Sequence, residues 1–326
     1  MALQNFSYPI RHVILSTATE LCLSPYCGRT VGHNGHISEC AACPRGYRSD
    51  QSSNCVPCNK PLAHYDWMYL AFMALLPVVL HASVIDTIYR HHRLTKCGAY
   101  AAQLVSTLLE AALSAVISVF LFRKSGAFNV VSCGVHQLGD WYTWLFNPIP
   151  DHAYSIRCTQ EVTYPLYSMV FVYYFFSLVF LLVFRAVMSR MIAWDVMTRN
   201  VTLAALYEYP VLFVLHAFFA GVLYYNFPYV VLIVAITSST FQCAVMPNQT
   251  IPKLCSGLFG NPHSFIVILL HWTFLAFGVV SVAELWHMPM VLFFLSCIPI
   301  PILVYIATIR FTDPAKFSDY LNEQAH

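Results

Sequence analysis

The amino-acid sequence predicts an all-α, polytopic membrane helix bundle of about seven spans, carrying a small disulfide-rich module at its lumenal N-terminus. Three observations point there. Of 326 residues only 10% are charged while 58% are hydrophobic, and the mean hydropathy is +0.61. From Asp66 to Ile309 long apolar runs alternate with short charged breaks, and half of the 12 cysteines precede the first run. A soluble chain is about 25% charged and at most about half apolar. Too few charges are present here to solvate a globule of this size, which excludes a soluble enzyme. Disorder is excluded by the hydrophobicity. A net charge of +2 is too small for an electrostatic nucleic-acid binder, so the lipid bilayer is the first partner expected.

The N-terminal module is assigned to residues 1–65. Its segment Cys22–Cys58 has few large apolar side chains, so crosslinks or metal must hold it together. The pattern Cys40-x-x-Cys43-Pro44-Arg45-Gly46-Tyr47, followed by Cys55-x-x-Cys58, resembles the Cys-rich modules of growth-factor and tumour-necrosis-factor receptors. That resemblance implies interleaved bonds, Cys40–Cys55 and Cys43–Cys58, leaving Cys22–Cys27. The rival is zinc, because two Cys-x-x-Cys pairs approximate a zinc-ribbon spacing and His33 and His36 stand upstream. A lumenal placement favours the disulfides, with no metal or other cofactor. Val13-Ile14-Leu15 is too weak an apolar patch for a cleavable signal, so the first span is expected to direct its own insertion.

The bundle is assigned to residues 66–309. A bilayer core needs about 20 apolar residues of helix, which Trp67–Ile85, Gly98–Phe122, Tyr164–Phe184, Phe265–Val282 and Met288–Ile309 supply. The stretch Val201–Val245 is too long for one span and contains Asn226-Phe227-Pro228. A proline there can start a new helix after a tight turn, so this stretch is read as two spans. Six spans with a re-entrant segment is the alternative. With the N-terminus outside, nine basic residues face inward (Arg90, Arg93, Lys96, Arg185, Arg190, Arg199, Lys253, Arg310 and Lys316). Only Arg123, Lys124 and Arg157 occupy short outer loops. The positive-inside rule then puts the N-terminus in the lumen and the tail, residues 310–326, in the cytosol. Cysteine placement agrees: Cys133 and Cys158 join the module's six on one side, while Cys97, Cys243, Cys255 and Cys297 fall in spans or on the inner side.

The lumenal loop 123–163 carries Asp140-Trp141-Tyr142-Thr143-Trp144 and Asn147-Pro148 between Cys133 and Cys158. Its aromatics suit the headgroup level. They read as a surface cap, or more sharply as a recognition surface for misfolded segments. Within the spans, Gln103, Ser106, Thr107, Glu110, Ser114 and Ser118 recur at three-to-four-residue spacing and form one helical face. Polar groups are costly in hydrocarbon, and His81, Glu208, His216 and His271 are possible partners for Glu110. Helix–helix hydrogen bonding, a proton or ion site and a substrate cavity all remain open for this face. Of three glycosylation sequons, at Asn5, Asn200 and Asn248, only Asn5 faces the lumen in this topology.

No catalytic signature appears, and no inner segment is long enough to form an enzymatic domain. A seven-span receptor fits the count, but span 3 closes without acid-Arg-Tyr and span 7 lacks Asn-Pro-x-x-Tyr. A transporter built around Glu110 is the other alternative, although no internal repeat joins the halves.

The stretches Tyr65-Asp66-Trp67-Met68-Tyr69-Leu70-Ala71-Phe72 through Pro77, Asp140-Trp141-Tyr142-Thr143 with Asn147-Pro148, Tyr164-Pro165-Leu166-Tyr167, Leu223-Tyr224-Tyr225 with Phe227-Pro228-Tyr229, and Phe311-Thr312-Asp313-Pro314 resemble the Jun-kinase-associated membrane protein family. The eight outer cysteines, His81 and Glu110 match it too, whereas the inner segments after spans 3 and 5 match poorly. The resemblance implies a seven-span endoplasmic-reticulum protein without enzymatic activity, an adaptor in ER-associated degradation and the unfolded-protein response. Its implied partners are proteasome components, a membrane ubiquitin ligase, misfolded membrane clients and a Jun N-terminal kinase. For kinase docking, Arg90-His91-His92-Arg93-Leu94-Thr95-Lys96 supplies the basic part but continues into Cys97-Gly98.

Overall fold

The computed structural model describes residues 21–32, 36–91, 97–123, 129–146, 158, 160–191, 196–244, 250–260, 262–283 and 288–309. At one end, three two-stranded antiparallel ladders and four disulfides make a cap. Strand β1 (Cys27–Gly28) pairs with β2 (Ala41–Ala42), and β3 (Tyr47–Ser49) pairs with β4 (Cys55–Pro57). Strand β5 (Lys60–Pro61) pairs with β6 (Val131–Ser132), which belongs to the loop between the second and third helices. The bonds are Cys22–Cys40, Cys27–Cys158, Cys43–Cys55 and Cys58–Cys133.

None of the three expected pairings inside the module forms. The reason lies in where the strands point the sulfurs. The β3–β4 hairpin sets Cys55 opposite Ser49, near Gly28. A Cβ on Gly28 would lie only 2.5 Å and 2.6 Å from the Sγ atoms of Cys43 and Cys55, so the missing side chain makes room for their bond. Cys27 and Cys58 face out of the module instead and bond to the loop. Module and loop are thus one crosslinked body, and the four thiolates of the zinc reading are bound up in these bonds. The Cys27–Cys158 bond closes a separation of 131 residues. On the chain-entropy view, a closure of that size stabilises by about 4–5 kcal/mol.

The helices are α1 (His64–His91), α2 (Cys97–Phe122), α3 (Leu166–Met191), α4 (Val196–Ala244), α5 (Ile251–Phe259), α6 (Pro262–Val282), α7 (Met288–Ser296) and α8 (Ile300–Ala307). Among the described residues six helical stretches are long and apolar enough to cross a membrane. Their outward side chains, among them Val105, Leu109, Val116, Phe218, Ile233 and Phe293, are exposed as lipid-facing surfaces must be. Helices α7 and α8 make one crossing interrupted by a turn at Cys297–Pro299. Pro299 and Pro301 lack the N–H groups that would carry the ladder across it.

Helix α4 carries no break in its secondary structure, yet it crosses twice. Its first arm runs antiparallel to α1: Val201 packs with Ile85, Glu208 meets His81, and the Ala220 and Tyr224 carbonyls accept hydrogen bonds from Tyr69 and Tyr65. Its second arm then descends beside α1, so that Val234 and Ser238 line one cavity with Val79 and Ser83. A straight helix would hold residues 208 and 238 roughly 45 Å apart. Both neighbour the same turns of α1, so the axis reverses near Tyr224–Pro228. This is the two-span reading of the sequence, achieved without the expected interruption. Seven passages result, with the cap at one end. At the other, distal end, Cys243, Leu254, Ile268, Ile302 and Tyr305 form an apolar cluster.

The prolines explain two tyrosine hydrogen bonds. Pro77 within α1 and Pro228 within α4 withhold the N–H that would bond the carbonyls of Met73 and Tyr224, four residues earlier. Hydrocarbon offers no water to replace it. Instead the Tyr174 hydroxyl donates to the Met73 carbonyl at 3.3 Å, and the Tyr65 hydroxyl donates to the Tyr224 carbonyl at 2.7 Å. Tyr142 and Tyr167 donate likewise to Phe218 and Ala217 along the approach to the reversal.

The reversal makes a testable topology. A cysteine replacing the exposed Asn226 should react with an impermeant maleimide from the cap side of sealed membranes, and one replacing Asn200 from the distal side only. Labelling of both from one side would refute two crossings. Tyr65→Phe should lower thermal stability by about 1 kcal/mol, the worth of one hydrogen bond.

Candidate functional site

Four helices converge on one buried polar network in the half of the bundle away from the cap. Glu110 sits near the middle of α2, with its residue 1% exposed. It accepts a 2.6 Å hydrogen bond from Ser106 and forms an ion pair with Arg185 of α3, Nε to Oε1, at 3.5 Å. The same guanidinium donates through Nη2 to Thr107 at 3.2 Å and reaches His81 Nε2 of α1 at 3.1 Å. Because a guanidinium only donates, Nε2 of His81 accepts and the ring proton sits on Nδ1. That nitrogen faces Glu208 Oε2 of α4 at 3.8 Å. Ser106, Glu110, Arg185 and His81 therefore tie α1, α2 and α3 at one level, and Glu208 brings the first arm of α4 beside them at a distance too long for a hydrogen bond.

Two of the expected partners, His81 and Glu208, join Glu110, and two do not. His216 donates from Nε2 to the Tyr167 carbonyl at 3.1 Å and packs against Phe171 near the cap. His271 lies on α6, in the wall of a separate cavity. Gln103 is buried a turn below Thr107, and its backbone carbonyl accepts the Thr107 hydroxyl at 3.0 Å. Ser114 and Ser118 bond back to their own helix at Glu110 and Ser114.

The sequence reading placed Arg185 in an inner loop. It is instead 2% exposed and inside α3. Removing it leaves eight inner basic residues against three, which keeps the sense of the count. A signal for this placement was present. Leu166, Val170, Tyr174, Ser177, Leu181 and Arg185 recur at three-to-four-residue spacing and are all buried, so Arg185 continues the packing stripe of α3. Ending the span at Phe184, the last apolar residue, hid that continuation.

The aromatic loop also differs from its expected form. Trp141 is buried, with its ring 5.7 Å from Tyr69 and 5.2 Å from Tyr224. Gly221 admits it, since a Cβ there would stand 2.9 Å from the Trp141 Cβ and Cγ. Asp140 is buried beside it and pairs with Arg48 at 3.1 Å, while accepting from the Tyr26 hydroxyl at 3.2 Å and the His136 N–H at 2.8 Å. Burial pushes the Tyr26 hydroxyl above the ordinary tyrosine range, and the Asp140 charge acts in the same direction. Tyr26 therefore remains a donor. Trp144 and Leu145, each 59% exposed, are with Leu138 the large apolar side chains that the described part of this loop presents outward. Trp141 is a packing element, because the turn Leu138–Trp141 lays it onto α1 and α4. Asn147, Pro148, Asn5, Asn248, the tail 310–326 and the basic residues 92–96 lie outside the described residues, and Asn200 is exposed near the start of α4.

The sequence profile of the family described as JNK1/MAPK8-associated membrane protein matches residues 22–314. The chain is 36% identical over 302 residues to the JNK1/MAPK8-associated membrane protein of Mus musculus, and 35% identical to that of Homo sapiens. Each alignment covers 90% of this chain and 94% of the relative. It is 30% identical over 314 residues to the homolog from Caenorhabditis elegans, covering 92% of this chain and 95% of that one. No solved structure matches.

Two variants separate the parts of this arrangement. Glu110→Gln strands the Arg185 charge in the bundle and should destabilise by about 3–5 kcal/mol, whereas pairing Glu110→Leu with Arg185→Met should recover most of that loss. Thermal unfolding of the purified chain in nanodiscs reads both, and a double variant no better than the single one would count against the ion pair. Trp141→Ala should cost about 3–5 kcal/mol and Trp144→Ala well under 1.

Proposed function

The chain belongs to the JNK1/MAPK8-associated membrane protein family, and from that premise we propose that it is a non-enzymatic adaptor of the endoplasmic-reticulum membrane. Its cap lies in the lumen, glycosylated at Asn5, and its distal end faces the cytosol. There it recruits proteasome components and a ubiquitin ligase during ER-associated degradation and the unfolded-protein response, and binds a Jun N-terminal kinase. The supporting observation is the extent of the likeness: proteins named for association with JNK1/MAPK8 match at least 90% of this chain. The geometry is compatible with an adaptor, because the four central intramembrane groups are engaged with one another.

Client reading, in this proposal, falls to the outward Trp144–Leu145 edge of the cap, and partner binding to the cytosolic loops and tail. A transporter or receptor working through the Glu110 network is the second reading. It has in its favour that Glu110 Oε2, Arg185 Nη1 and Glu208 Oε1 are buried without a hydrogen-bond partner among the described residues. Water or an ion would complete such atoms.

Deleting Arg310–His326 should sharply reduce the proteasome subunits and kinase recovered with the protein. Undiminished recovery would move the contact to the loops, and absence of both partners from the intact chain would defeat the adaptor reading.

A further inference from the structure

Between α1, the second arm of α4 and α6 lies a cavity of about 330 Å³ that takes no part in the charge network. Most of its wall is apolar, including Phe72, Val79 and Phe274, and no Lys, Arg, Asp or Glu lines it among the described residues. Its polar groups are not scattered. Ser83, Ser238 and His271 gather at the distal end, where α6 runs antiparallel to the second arm. The Ser83 and Ser238 hydroxyls already donate to the Val79 and Val234 carbonyls, each four residues earlier, which leaves oxygen lone pairs facing outward. The His271 ring hydrogen-bonds to the backbone of Val267, one turn earlier in α6. This end therefore offers acceptor sites to a ligand that carries a donor.

Depth narrows the ligand further. Ser83 stands roughly 28 Å along α1 from His64, at the far boundary of a core about 30 Å thick. Phe72 lies roughly 16 Å back toward the cap, about one leaflet away. The cavity thus has a polar end at the headgroup level and an apolar body one leaflet deep, and Val234 and Leu270 on its wall are exposed toward lipid. A phospholipid would bring a phosphate to a wall that has no cation for it. We propose that this cavity is a sterol site in the leaflet opposite the cap, with the sterol hydroxyl held among Ser83, Ser238 and His271. The inference is independent of the adaptor reading.

The test uses the full chain in phosphatidylcholine vesicles containing a diazirine-bearing cholesterol, with crosslinked peptides mapped by mass spectrometry. Labelling should saturate, fall on the stretches 72–83, 230–238 and 270–277, and be displaced by cholesterol but not by added phosphatidylcholine. Cholestane, which lacks the hydroxyl, should compete about tenfold less well, as the loss of one hydrogen bond implies. Val234→Trp, on the lipid-facing wall, should abolish saturable labelling. The pair Ser238→Ala and His271→Phe should weaken it about tenfold, with thermal stability in sterol-free vesicles unchanged. Labelling spread over every lipid-facing helix, or displacement by phosphatidylcholine, would overturn the site. Equal competition by cholestane would overturn the assignment of its polar end.

Discussion

Tyr224 is gripped from both of its ends, and the topology of the bundle depends on that grip. Its carbonyl, freed by Pro228, accepts the Tyr65 hydroxyl, and its own hydroxyl donates to Asp66 at 2.7 Å. Both groups are buried beneath the cap, so each must find its partner within the protein. Asp66 is itself held by the Ala63 N–H at the start of α1. The first turn of α1 therefore fixes the point at which α4 turns back. The number of crossings follows from it, and so does the placement of the distal cluster at the end away from the cap.

Two kinds of tie then hold the first four crossings together. At the cap the ties are covalent, with Cys27–Cys158 and Cys58–Cys133 binding the N-terminal module to the loop between α2 and α3. Toward the distal end they are electrostatic, through Glu110, Arg185, His81 and Glu208. A charge pair in a low-dielectric interior contributes little net stability, yet losing one member is costly. The network acts more as a device that rejects other registers of the four helices than as a source of stability. The second arm of α4 and helices α6 to α8 have no comparable tie among the described residues. Their packing is apolar, through Phe227–Phe277 and the distal cluster, and Gly278 lets α6 approach Leu232 closely. Apolar packing of this kind tolerates small displacements, and the one-leaflet cavity lies on that boundary.

Much of this was legible in the sequence, because hydrocarbon restricts what a chain can do. Apolar runs gave the crossings, and Asn226-Phe227-Pro228 marked the reversal even though the helix continues through it. The residues from Gln103 to Ser118 were legible as one helical face, since their spacing matches the helical period, and the structure buries that face. Other features depended on knowledge of neighbours. A tyrosine that caps a proline-freed carbonyl looks like any other aromatic in an apolar run, and Tyr65 and Tyr174 serve carbonyls 159 and 101 residues away in the chain. Disulfide pairing failed for the same reason. Cys27 and Cys58 find partners across the membrane-spanning hairpin α1–α2, which local spacing within the module cannot reveal.

Four of the five stretches that carry the family resemblance meet in space at one place, and the fifth, 311–314, lies outside the described residues. Tyr65-Asp66, Asp140-Trp141, Tyr164-Pro165-Leu166-Tyr167 and Leu223-Tyr224 through Pro228 converge beneath the cap, with Trp141 packed on Tyr69, Tyr167 and Tyr224. Each of these stretches contributes to the reversal or to its burial. Most of the described residues that carry the resemblance thus fold the cap end of the bundle, with His81 and Glu110 in the charge network the exceptions. In the proposed adaptor, association with a kinase would use another surface, because this aromatic cluster is sealed under a disulfide-linked cap.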